Sequence, residues 1–187
     1  MEIKWKKLDI PEVLLLTYSR FTDYRGSLTE IFQASQIGKE LGIRFVQDNI
    51  SRSIRKVWRG LHYQLRPKAQ GKLITCLYGR IYDFAVDIRI GSPHFGEGVF
   101  YWLTDASPQS LWVPPGFAHG FYVDSQEAIV HYKLTNEHDP TLERGINILS
   151  DGLKIVSPIE SGSIMSERDQ LLPTLKKADN NLYYKAK

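Results

Sequence analysis

Leu73-Ile74-Thr75-Cys76-Leu77-Tyr78-Gly79-Arg80-Ile81-Tyr82-Asp83-Phe84-Ala85-Val86-Asp87-Ile88 is the stretch that decides the fold class. Residues 72–78 form a β-rich run. Ile81 to Ile88 alternates, with Tyr82, Phe84, Val86 and Ile88 on one face and Ile81, Asp83, Ala85 and Asp87 on the other. Such period-two alternation is the signature of a strand. Gly79-Arg80 between the runs reads as a hairpin turn. Outward from this pair, further strands are expected at Val13–Thr17, Gly98–Leu103, Ser110–Val113, Gly120–Val123 and Ala128–Leu134. Turn residues separate them: Gly91-Ser92-Pro93, Ser107-Pro108, Pro114-Pro115-Gly116 and Asp139-Pro140. Many short strands at this spacing predict an all-β sandwich or jelly-roll barrel. Helix is confined to a short stretch over Gln33–Leu41, ended by Gly42, and one or two turns between Ser166 and Ala178.

The chain of 187 residues is 42% hydrophobic and 24% charged, which suits a globular domain with a substantial core. Lys and Arg exceed Asp and Glu by 24 to 21. A net charge of +3 does not point to a nucleic-acid partner, but it leaves room for a local basic pocket holding an anion. Cys76 is the lone cysteine, which excludes an internal disulfide and suits a reducing cytoplasm. Its apolar run reads as core rather than as the setting of a nucleophile. Neither a secretion signal nor a membrane span is expected.

Two of the five histidines stand in distinctive surroundings. His62 lies in Arg59-Gly60-Leu61-His62-Tyr63-Gln64, and His119 in Pro114-Pro115-Gly116-Phe117-Ala118-His119. The second pattern, Pro-x-Gly-x-x-His, resembles a cupin motif, in which the turn places a histidine in the barrel mouth beside another from an earlier strand. A metal is then the first rival. A catalytic metal needs three or four converging ligands. Here Tyr63-Gln64 stands where metal-binding cupins usually have a second histidine, and the next polar position is the cation Lys72. Metal-free chemistry is the better reading. His62 is then a candidate general base, because imidazole titrates near neutrality. Lys72 could stabilise an oxyanion. Tyr132 alternates with Ala128 and Val130, so it points inward and could return a proton from the opposite side. Base, oxyanion stabiliser and opposing acid describe proton abstraction beside a carbonyl.

From about Ile10 to Pro173 the chain resembles the dTDP-4-dehydrorhamnose 3,5-epimerase family, which is of cupin type. The matching blocks are Phe21-Thr22-Asp23-Tyr24-Arg25-Gly26 with Glu30, Phe45-Val46-Gln47-Asp48-Asn49, Arg59 to Gln64 and Gln70-Gly71-Lys72-Leu73. They continue with Asp83 to Arg89, Gly91-Ser92-Pro93, Leu111 to Phe121 and Tyr132-Lys133. Their shared order and spacing make the resemblance specific. It implies His62 as base, Tyr132 as acid and Lys72 beside the enolate. Asp169, in Ser166-Glu167-Arg168-Asp169-Gln170-Leu171-Leu172-Pro173, falls on the aspartate that orients the base. Arg59 and His119 fall on sugar and phosphate contacts. Arg25, Glu30, Gln47 and Asn49 fall on nucleotide-end and substrate contacts, and Glu143 and Arg168 on further ones.

The implied protein is a single cupin-like domain over 1–187, with a peripheral extension from about residue 174 that could pack on a partner subunit. It would act on a nucleotide-linked 4-keto-6-deoxyhexose, with dTDP-4-dehydro-6-deoxyglucose the leading substrate, and need neither metal nor other cofactor. A homodimer is expected, its N-terminal strand shared between subunits. The sequence departs from the family at two places. His138 stands at a tyrosine position and Ser157 at a tryptophan position. Rival readings are a single-centre epimerase or ketoisomerase on another nucleotide sugar, a non-catalytic sugar-binding cupin and a metal-dependent cupin. His94, His131, Asp83 and Asp87 are expected to serve the fold.

Overall fold

The computed structural model describes residues 2–154 and 162–185. Thirteen strands are seen among them. In chain order they are β1 (Ile3–Lys7), β2 (Leu14–Tyr18), β3 (Arg20–Asp23), β4 (Gly26–Thr29), β5 (Gln47–Ile54), β6 (Trp58–Gln64) and β7 (Lys72–Tyr78). They continue as β8 (Arg80–Asp87), β9 (Gly98–Thr104), β10 (Gln109–Val113), β11 (Phe117–Val123), β12 (Glu127–Leu134) and β13 (Glu143–Gly145). A turn of π-helix over Ala34–Gly38 runs into α1 (Lys39–Leu41), which Gly42 ends in the left-handed conformation with φ of 64°. The second helix, α2 (Glu167–Gln170), is capped by Ser166, whose side chain accepts from the amide of Asp169.

The strands form a six-stranded sheet, β1-β2-β10-β7-β12-β5, and a five-stranded sheet, β13-β6-β11-β8-β9. The pairings within both are antiparallel. The β3–β4 hairpin stands apart. The two sheets face each other as a cupin-type jelly roll, the fold class expected. Their shared interior holds Ile74, Cys76, Ile81, Ala85, Leu111, Val113, Phe117, Phe121, Ala128 and Val130.

Both outer faces are also covered in part, and that explains the near-continuous apolar runs. Trp58, Phe84, Val86 and Ile88 pack outside the five-stranded sheet beneath Ile146, Ile148 and Leu182. Leu16, Leu73 and Trp112 pack outside the six-stranded sheet with Ile37, Phe45 and Leu41. Burying a side chain such as Trp58 or Phe84 contributes about 2–3 kcal/mol.

One local expectation changes. Gly79-Arg80 is not a hairpin, because β7 pairs with β10 and β12 while β8 pairs with β9 and β11. The chain instead crosses from one sheet to the other at Gly79, whose φ is 79°. A Cβ there would lie 2.1 Å from the Glu127 carbonyl oxygen. The N-terminal strand pairs with β2 of its own chain, Ile3 opposite Tyr18. The C-terminal segment is tied to its own subunit. Leu182 is buried, its carbonyl accepts from the Ile90 amide at 2.7 Å, and the Tyr184 ring lies under the Arg89 guanidinium. Ser157 lies outside the described residues.

Candidate active site

The barrel interior turns polar toward one end. Lys72 shares its strand face with Ile74 and Cys76, and Tyr132 shares its face with Val130 and Ala128. On the facing sheet His119 follows Phe117 inward and lies directly across the β6–β11 ladder from His62. These side chains line a cavity of about 680 Å³ with Asn49, Arg59, Glu143, Arg168 and Asp169.

His62 Nε2 lies 2.7 Å from Asp169 Oδ1. An ionised carboxylate only accepts, so Nε2 carries the proton and Nδ1 is left as the basic atom. Asp169 comes from α2, far along the chain, and its second oxygen accepts from the Gly60 amide at 3.2 Å. Burial alone would raise the Asp169 pKa. The His62 bond and charge, with the Gly60 and Ser166 contacts, outweigh it and hold the carboxyl below its usual range. The imidazole side chain is 26% exposed and its aspartate only 5%, so the ring reaches the cavity while its partner stays dry.

Lys72 reaches from β7 to the His62 carbonyl oxygen at 3.2 Å. Burial lowers its pKa to about 8, against the pull of Glu143 and Asp83. Tyr132 stands on the wall opposite His62, and burial raises its pKa. Ser51 Oγ lies 3.1 Å from its hydroxyl. Arg59 is held by Ser53, whose hydroxyl accepts from Nε at 2.9 Å.

His119 Nε2 bonds Asp83 Oδ1 at 2.7 Å. Both are buried, and burial opposes charge on each, pushing Asp83 up and His119 down. Among the described residues Asp83 Oδ2 has no hydrogen-bond partner. Asp83 thus serves the pocket as well as the fold. His138, left open by the sequence, lines the cavity and lies 3.2 Å from Glu143 Oε2, to which Arg168 donates at 2.6 Å. Those two bonds outweigh burial and lower the Glu143 pKa.

Other residues stand apart. Gln47 adjoins the cavity, accepting from the His138 amide at 2.7 Å and donating to Asn49 at 3.0 Å. Arg25 lies outside it, in the β3–β4 hairpin, with its guanidinium 2.6 Å from Asp23. Glu30, just after that hairpin, does not line it either. His131 faces the other way, onto Asp48 at 2.8 Å, and His94 bonds Glu97. Ser51, Ser53, Asp83 and Ser166 do not stand out as site residues in the sequence. The alternation of Ser51 and Ser53 with Arg52 and Ile54 is the signal that could have marked their inward face.

The arrangement sets an oriented base against a phenol across a cavity, with an ammonium group between the walls. It can remove a proton beside a ketone, hold the enolate oxygen and return a proton to the opposite face.

A family model described as dTDP-4-dehydrorhamnose 3,5-epimerase matches residues 7–177. The dTDP-4-dehydrorhamnose 3,5-epimerase of Escherichia coli K12 is 43% identical over 171 residues, 90% of this chain and 92% of the relative. A Legionella pneumophila dTDP-6-deoxy-D-glucose-3,5-epimerase, solved in complex with dTDP-4-keto-L-rhamnose, superposes with a TM-score of 0.94. It is 40% identical, with 99% of this chain and 100% of that one covered. A dTDP-4-dehydrorhamnose 3-epimerase of Streptomyces niveus is 32% identical over 170 residues, 90% of this chain and 82% of the relative.

Proposed function

The chain belongs to the dTDP-4-dehydrorhamnose 3,5-epimerase family, and from that premise we propose that it inverts C3 and C5 of dTDP-4-dehydro-6-deoxyglucose. The observation that carries the reading is the His62–Asp169 pair at 2.7 Å facing Tyr132 and Lys72 across one cavity.

The C4 ketone acidifies the hydrogens on C3 and C5. His62 Nδ1 takes the proton from one face, and Asp169 supports the imidazolium that forms. Charge moves onto the C4 oxygen, where the Lys72 ammonium stabilises it in a site drier than bulk water. Tyr132 gives its proton to the same carbon from the other side, and the centre inverts. The two steps move protons only, so no net redox change occurs. Arg59 and His119 face the sugar and diphosphate, and a guanidinium suits phosphate oxygens. Glu143, Arg168, Asn49 and Gln47 contact the remainder of the substrate. Proton NMR of the product in ordinary water tests the reading. Both centres should invert on the dTDP sugar, whereas inversion of C3 alone would place the chain with the single-centre enzymes.

A homodimer is part of the proposal. Ile50 and Ile54 on the outer face of β5 are 69% and 60% exposed, and Phe21 and Leu28 of the hairpin 64% and 71%. Apolar side chains this exposed on an edge strand and a projecting hairpin call for cover. A second copy docked there would carry Arg25 and Glu30 toward its partner's cavity, where the family resemblance puts them. A cytoplasmic location is also proposed, in keeping with the buried free thiol of Cys76. No described helix is long and apolar enough to cross a membrane.

A further inference from the structure

Ser51 lines the cavity but has no part in the steps above. Its hydroxyl lies 3.1 Å from that of Tyr132, and among the described residues it is that phenol's hydrogen-bond partner. The flanks of the ring are occupied by His119 and Phe121, each with its centroid 6.2 Å away. The strand register explains the contact. Tyr132 pairs with Asn49 across the β12–β5 ladder, and Ser51 is two residues further along β5 on the same inward face. Ser51 is itself only partly buried and lines the same cavity as Tyr132, so its hydroxyl can reach solvent.

Once Tyr132 has given up its proton, a phenolate is left among aromatic rings, and a buried phenolate is costly. Burial pushes this phenol upward, while the Ser51 bond acts in the opposite sense. Two inversions per turnover require the phenol to be restored between them. We propose that Ser51 is the proton relay of Tyr132, a positioning residue that stabilises the phenolate and returns a proton to it. The inference rests on Tyr132 being the acid.

The step balances. The Tyr132 O–H bond breaks as a C–H bond forms with the electron pair of the enolate double bond. The Ser51 hydroxyl proton then passes to the phenolate oxygen, and Ser51 takes a proton from water. His62 releases the proton it abstracted to solvent, so the net change is one proton in and one out.

The test runs wild type, Ser51→Ala, Ser51→Thr and Tyr132→Phe in deuterium oxide with dTDP-4-dehydro-6-deoxyglucose. NMR reads deuterium entering unconverted substrate and inverted product separately. His62 abstraction does not need Ser51, so without the relay the carbanion is quenched mostly from the His62 side. Ser51→Ala should raise the ratio of exchange to inversion by about tenfold, with KM within about twofold of wild type. Ser51→Thr keeps a hydroxyl on a side chain suited to a strand and should bring the ratio back to within about threefold. An unchanged ratio in Ser51→Ala, an equal fall in exchange and inversion, or a failure of Ser51→Thr to restore the ratio overturns the relay. A wild-type ratio in Tyr132→Phe removes the acid role itself, and the relay with it. That outcome is distinct from loss in Tyr132→Phe alongside an unaffected Ser51→Ala.

Discussion

At the scale of single residues, the chemistry depends on which groups are charged. Lys72 has its pKa lowered to about 8 by burial. Below that pH the ammonium is present to meet an oxyanion, and above it the amine is neutral. The value of kcat/KM should therefore fall as pH rises through about 8. Lys72→Arg, whose guanidinium stays charged, should lose activity overall but also lose that alkaline limb. A pH–rate profile checks both, and an alkaline limb surviving in the arginine variant would assign it to another group. Asp169 behaves oppositely. Its folded-state pKa is lowered, so its stabilising interaction with His62 is present above the unfolded value and lost as pH falls through the folded one. Asp169→Asn should lower kcat by about 10²–10⁴ while thermal melting stays cooperative. Steady-state kinetics showing less than a tenfold loss would remove Asp169 from the mechanism.

At the scale of elements, the site is set by where β6 and β11 approach. Gly60 has φ of 104°, and a Cβ on it would meet the His119 carbonyl oxygen at 2.5 Å and the Gly120 Cα at 2.8 Å. Backbone that close to backbone cannot give way cheaply. Gly60→Ala should destabilise by about 3 kcal/mol or more, a fall in Tm of roughly 6–12 °C, and disturb the His62–His119 register. A melting curve unchanged by the substitution would show that the strands can part. The same scale explains what was legible in the sequence. Strands β7 to β12 alternate or carry long apolar runs, and their existence could be read directly. Strand β5, Gln47–Ile54, is polar on its cavity face and bears isolated apolar side chains on its other face, so it shows no core pattern. Strand β6 reads as a motif rather than as a strand, because glycine and histidine replace core residues at the site. Gly79-Arg80 misled because short-range turn chemistry does not record which sheet a strand joins.

At the scale of the whole molecule, the proposed catalytic set is assembled from both sheets and from a helix near residue 169. His62, Lys72 and Tyr132 could be nominated from local context. Asp169 does not stand out that way, since nothing in a polar Ser-Glu-Arg-Asp run indicates that α2 returns to β6; the family resemblance alone points to it. The covering of the outer sheet face by Ile146, Ile148 and Leu182 was equally invisible, being a matter of long-range packing. The proposed dimer belongs to this scale. Ile54→Asp should yield monomers by light scattering and lower activity. Mixing Arg25→Ala with His62→Ala subunits should recover part of the activity, because hybrids restore one complete site. No recovery would mean that Arg25 serves its own subunit or none.

The central claim is that His62 and Tyr132 act on opposite faces of one carbanion. It is tested most directly by the rate at which deuterium from solvent appears at C3 and C5 of dTDP-4-dehydro-6-deoxyglucose, compared between wild type and a folded His62→Ala variant. Label at both inverted centres with the wild type, and its loss by about 10² or more in the variant, is the predicted result. Conversion without label, or His62→Ala exchanging at the wild-type rate, would contradict it.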